Sequence, residues 1–164
     1  MKITAQEEYG LRCTLQLAGV GTSGSLTLPE IASREGLTTP HAGKLLAMLR
    51  QGGVIRSVRG RTGGYSIARP ADSITAAEVL RALGTRPWPE GHCDRHRGTL
   101  SACVHSQDCS VRSLWGSLDF IVDRLLGGVT LDDLLHGRLP GDERAGGGLE
   151  LVQTAVTTAG KGVS

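Results

Sequence analysis

Three cysteines stand close together in the second half of the chain, as Cys93-x9-Cys103-x5-Cys109. Thiolates are soft ligands that suit zinc, copper and iron–sulfur clusters. The segment that carries them holds Pro87, Pro89, Gly91 and Gly98, an irregular stretch in which thiols can converge. A helical pattern begins just after Cys109, and the positive end of a helix favours anionic sulfur. An iron–sulfur cluster usually takes four protein ligands, so three thiols need one more donor. His92, His96 and His105 interleave with the cysteines, which keeps a Cys/His zinc site open. Against zinc stands the absence of compact Cys-x2-Cys pairs. The fourth cysteine, Cys13, lies one helical step off the apolar face of the first helix and reads as a small buried residue. No Cys-x-x-Cys pair, hydrolytic triad, phosphate loop or paired acid and base stands out, so the chain is not read as an enzyme.

A second set of residues suits a polyanion. No acidic residue occurs between Glu35 and Asp72, while Lys44, Arg50, Arg56, Arg59, Arg61 and Arg69 do. The formal net charge of the whole chain is only +2, so the basic character is local. Such a stretch fits a phosphate backbone better than the overall charge suggests.

These residues need elements to present them. Thr4…Glu7, Thr27…Glu30, Thr75…Glu78 and Thr130…Asp133 all carry the capping-box signature of a helix start. The first of these helices places Leu11, Leu15 and Ala18 on one apolar face. The second is short and closes at a Glu35-Gly36-Leu37 turn. A third helix starts at Thr39-Pro40, with Thr39 as its cap, and stops at Gly52-Gly53. Two short strands follow, Val54–Val58 and Tyr65–Arg69, joined by the glycine-rich Arg59–Gly64 turn. Helix, short helix, tight turn, helix and hairpin, in that order, predict a winged helix-turn-helix.

In that frame Thr39–Arg50 is the recognition helix. Thr38, Thr39, His41 and Lys44 lie where side chains reach base edges and phosphates of double-stranded DNA, while Leu45, Leu46 and Leu49 point inward. Arg56, Arg59 and Arg61 supply the wing with cations for a minor groove or phosphates. Val111, Leu114, Leu118, Ile121 and Leu125 recur at spacings of 3, 4, 3 and 4. That seam fits a dimerising helix or one face of an ordinary core helix.

The fold class is therefore mostly α with a small β-hairpin wing, a winged helix-turn-helix plus a long dimerisation helix. Residues 1–83 form the DNA-binding domain and 84–109 the cysteine-bearing cofactor loop. Residues 110–136 form the dimerisation helix with a short terminal helix. Residues 137–164, with seven glycines, form a flexible tail. The 164 residues are enough for one domain with a real core, built from aliphatic side chains because aromatics are only 3%. No stretch approaches the ~20 apolar residues of a membrane span. With no apolar leader in the first residues, the expected location is cytoplasmic, where thiols stay reduced.

The residues Met1-Lys2-Ile3-Thr4…Tyr9-Gly10-Leu11-Arg12, Ile31-Ala32, Arg56-Ser57-Val58-Arg59-Gly60…Gly63-Gly64-Tyr65, the cysteine loop and Leu114-Trp115 resemble the Rrf2 family of bacterial regulators. This family includes the iron–sulfur regulators IscR, NsrR and RsrR. The resemblance covers roughly residues 1–136. It implies a homodimeric repressor whose operator affinity responds to a 2Fe-2S or 4Fe-4S cluster sensing redox state, nitric oxide or iron–sulfur status. It implies Cys93, Cys103 and Cys109 as ligands. The IscR pattern places a histidine three residues after the third cysteine, where this chain has Arg112, which stays protonated and cannot ligate iron. NsrR and RsrR use a carboxylate near the N-terminus of the other subunit, and the matching residue here is Glu8. Glu8 equally reads as a first-turn glutamate favoured by the helix dipole. Glu35 occupies the place from which some members supply a further ligand. A zinc-binding regulator and a cofactor-free winged-helix regulator are the alternatives.

Overall fold

The computed structural model describes residues 3–60, 63–84, 99, 103, 105 and 109–140. Four helices begin as their capping residues dictate. Thr4 opens α1 (Ala5–Gly19), Thr27 opens α2 (Leu28–Glu35), Thr75 opens α4 (Ala76–Ala82) and Thr130 opens α6 (Leu131–His136). In each, the threonine hydroxyl accepts the N–H three residues on, and the carboxylate there accepts the threonine N–H. Two otherwise orphaned donors are thus satisfied at every start. The carboxylates of Glu30, Glu78 and Asp133 are held below their ordinary range by these bonds, Glu78 first of all by Arg69.

The helix expected to be the recognition helix, α3 (Thr39–Gln51), begins differently. Its cap is Thr38 rather than Thr39, and the Thr38 side chain makes no capping bond. A capping oxygen normally bonds the second or third helical N–H. Here the second helical residue is Pro40, which has none, and the Thr38 hydroxyl does not take up the N–H of the third, His41. Both threonines are exposed.

The core gathers Leu17, Ile31, Leu45, Leu46, Leu49, Ile55, Ile67, Ile74, Val79, Leu83 and Leu131, all essentially without exposure. The buried face of α1 is Gly10, Cys13, Thr14, Leu17 and Ala18. Of the expected Leu11, Leu15 and Ala18 stripe, Ala18 lies on this face, while Leu11 and Leu15 are rotated to its flank and half-buried. The reason is close packing. A Cβ on Gly10 would stand 2.4 Å from Leu83 Cδ1, so the contact takes a residue without a side chain.

The wing pairs β1 (Ile55–Val58) with β2 (Gly64–Ile67) in antiparallel register, Ile55 opposite Ile67 and Val58 opposite Gly64. Leu26 joins this pair through reciprocal backbone bonds with Tyr65 of 3.0 and 2.9 Å. Gly64 is the residue that permits the approach, since a Cβ there would be 2.8 Å from the Leu26 carbonyl oxygen.

After α4 the long helix α5 (Ser110–Gly127) contributes no buried residue. The chain then returns to the core. Ala76 N–H donates to the Val129 carbonyl at 2.8 Å, Leu131 N–H donates to the Ile74 carbonyl at 2.9 Å, and Leu131 is fully buried. Arg81 of α4 pairs with Asp123 of α5 at 2.9 Å. Among the described residues no helix is long and apolar enough to cross a membrane. Residues 85–98 and 141–164, including most of the cysteine loop and the expected tail, lie outside the described residues.

Candidate DNA interface and cysteine site

The turn between α2 and α3 is built on Gly36, whose left-handed φ of 65° lets its N–H reach back to the Ala32 and Ser33 carbonyls. Leu37 N–H bonds the Ala32 carbonyl at 2.8 Å and completes the stop. Ala42, Leu45, Leu46 and Leu49 then bury the inner face of α3. Thr38, Thr39, His41 and Lys44 are all exposed, on one end of one helix. They present two hydroxyls, an imidazole and an ammonium, groups of the kind that bond base edges and phosphates.

On the wing, Arg59 is exposed at the tip and Arg61 lies outside the described residues. Arg56 points away from the core, as strand alternation requires. Its Nη2 donates to the Thr22 carbonyl at 2.9 Å, and the Ser66 hydroxyl donates to the same oxygen at 3.3 Å. Arg56 thus ties the wing to the loop after α1 as well as adding charge.

A contact network that sequence reasoning did not foresee joins α1 to this surface. Glu35, buried at the end of α2, accepts from Arg12 Nε at 2.6 Å and from Gln16 Nε2 at 2.6 Å. Arg12 also lies over the Tyr9 ring, and Tyr9 meets His41 edge-on. The i, i+3 spacing of Tyr9 and Arg12 was the available signal, but nothing local marks Glu35 as their partner. With both carboxylate oxygens engaged, Glu35 has a structural role.

Of the cysteines, Cys109 is the N-cap of α5, and its Sγ accepts the Arg112 N–H at 3.4 Å. Cys103 is half-buried, His105 is exposed, and Cys93, His92 and His96 lie outside the described residues. Glu8 is exposed in the first turn of α1. Among the described residues no three Cys, His, Asp or Glu side chains gather into a metal site. Cys13 is a poor ligand: burial, together with the Glu35 charge, pushes its thiol up to about 11. The seam residues of α5 are open, with Val111 59%, Leu114 63%, Leu118 43%, Ile121 44% and Leu125 43% exposed. Among the described residues they are not part of the core.

The family model described as Rrf2, iron-dependent transcriptional regulator, matches residues 3–137. The protein rrf2 of Nitratidesulfovibrio vulgaris is 33% identical over 136 residues, which are 83% of this chain and 88% of that protein. Among solved structures, CymR (YrzC), the global cysteine regulator of B. subtilis, is similar at a TM-score of 0.65 with 29% identity, over 83% of this chain and 97% of that one. IscR of T. potens is similar at a TM-score of 0.65 with 28% identity, over 88% of this chain and 90% of that one. The helix-turn-helix, its wing and these likenesses agree: the chain belongs to the Rrf2 family of winged-helix, DNA-binding transcriptional regulators.

Proposed function

We propose that this regulator acts as a homodimeric repressor whose operator affinity is set by an iron–sulfur cluster, held by Cys93, Cys103, Cys109 and the partner's Glu8. The observation that carries this reading is the position of Cys109. Its sulfur caps α5 and accepts the backbone N–H of Arg112 at 3.4 Å, so a soft donor is held in place where the cysteine-bearing segment meets the helix. The donor types fit the group: three soft thiols, and one exposed carboxylate. The cluster would supply iron whose oxygen-ligated corner exchanges and oxidises more readily than its sulfur-ligated ones. Thr38, Thr39, His41 and Lys44 would read the major groove, and Arg56, Arg59 and Arg61 would hold phosphates or the minor groove. The exposed seam on α5 supports a two-fold partner of the same kind.

A second reading, a cofactor-free regulator, draws support from the likeness to CymR, a cysteine regulator. Anaerobic purification separates the two. A brown protein with visible absorption and matching iron and sulfide supports the cluster. A colourless protein without metal supports the second reading, and stoichiometric zinc would replace both. Single Cys→Ala variants at the three positions should each lose the cluster. Glu8→Ala should change its spectrum while the protein stays folded.

A further inference from the structure

A row of side chains runs from the buried end of α2 to the exposed start of α3, and it passes through α1. Its fixed point is Glu35, whose side chain is 4% exposed. Arg12 Nε is committed to Glu35 Oε2 at 2.6 Å. That bond holds the guanidinium over the Tyr9 ring, 5.4 Å from its centroid and within the range of a cation–π contact. Tyr9 in turn meets the His41 ring in a T-shaped contact, centroids 5.8 Å apart and planes at 80°. An exposed histidine on a helix surface otherwise samples several rotamers, and each must be given up when a base is bound. Here a neighbouring helix selects one before DNA arrives.

We propose that Tyr9 is a positioning residue for base recognition: through its ring contact it fixes His41 on α3 and so sets base preference at the positions His41 faces. This rests on the reading of α3 as the groove helix. Arg12 and Glu35 hold Tyr9 and therefore act one step further back. The specificity of the helix-turn-helix thus depends on a side chain outside it. The contact is a single aromatic edge, which corresponds to about a two- to tenfold effect on affinity for the preferred operator.

The test is selection from a randomised operator library, with thermal melts as the control for folding. Tyr9→Phe keeps the ring and should leave the selected sequence unchanged. Tyr9→Leu should relax the base pairs that His41→Ala relaxes, and no others, with affinity for the preferred site about two- to tenfold lower. The Tyr9→Leu, His41→Ala double variant should match His41→Ala alone, because the two act through one side chain. Should Tyr9→Leu fail to fold, Arg12→Lys keeps the charge and removes the flat guanidinium, and it should relax the same base pairs. A uniform loss of affinity across all sequences, or additive effects in the double variant, would overturn the proposal and leave Tyr9 as a spacer between helices. If His41→Ala itself moves no position, the groove reading of α3 fails first, and the role of Tyr9 falls with it.

Discussion

Arg59 and Arg56 carry the same charge on the same wing but in different surroundings. Arg59 stands exposed at the wing tip with its guanidinium available to a phosphate. Arg56 spends one N–H on the Thr22 carbonyl and so works for the wing before it works for DNA. Replacing Arg59 and Arg61 together with Ala should weaken operator binding and reduce the dependence of log affinity on log salt by about two counterions. Titrations at several salt concentrations check this; an unchanged slope would remove both residues from the interface. The exposed positions of α3 were legible in the sequence, because Leu45, Leu46 and Leu49 at helical spacing define the inner side. The Arg12–Glu35 pair was not. Its partners are 23 residues apart, and no periodic signal reports a contact between elements. The cysteines were visible as ligand types, yet spacing alone does not say which fourth donor completes a site.

Four helices owe their starts to one local device, and this has a pH signature. Glu30, Glu78 and Asp133 have folded-state values below their ordinary ones because they accept hydrogen bonds as carboxylates. A depressed folded value means stability that is present above the ordinary value and lost as pH falls through the depressed one. The melting temperature should therefore hold above pH 4.5, the ordinary value for Glu78, and decline progressively below it. Glu78→Gln should start from lower stability near neutrality and decline less steeply in acid, which differential scanning calorimetry can follow. These caps were readable because donor and acceptor are three residues apart. The rotation of α1 was not, because Gly10 and Thr14 pack tightly without looking apolar. Gly52 makes a similar point at the join of α3 and α4. Its φ of −76° is open to any residue, but a Cβ there would lie 2.3 Å from Ala82 Cβ and 2.9 Å from Ala82 Cα. Gly52→Ala should thus destabilise by about 1–3 kcal/mol, since a methyl and a backbone atom cannot swing aside. Urea denaturation measures the loss; a neutral result would show that the two helices separate easily.

The molecule as a whole keeps its helix-turn-helix side satisfied and leaves α5 open. Its apolar seam is left exposed by the described residues of its own core, and is the face the proposed second copy would cover. Leu118→Glu places a charge in the middle of that seam. It should raise the dimer dissociation constant by about a hundredfold or more, because an unpaired charge is costly to bury. Sedimentation velocity at micromolar concentration checks it, and a wild-type monomer would sink the seam as an interface. The 3-4 spacing of those residues was plain in the sequence; whether a partner or the chain itself covered them was not, since both demand the same pattern. The return of the chain after α5 was less legible still. Leu131 completes the core of a unit whose other members end at Leu83. This bears on how the protein is made. During synthesis the helix-turn-helix and wing emerge first, with a gap in their hydrophobic centre that Leu131 fills later. The N-terminal segment must therefore wait, incompletely closed, while the cysteine loop and α5 leave the ribosome. The three cysteines of that loop thus leave the ribosome before the DNA-binding unit makes its final closure, so a nascent chain carries its thiols before it is fully able to hold an operator.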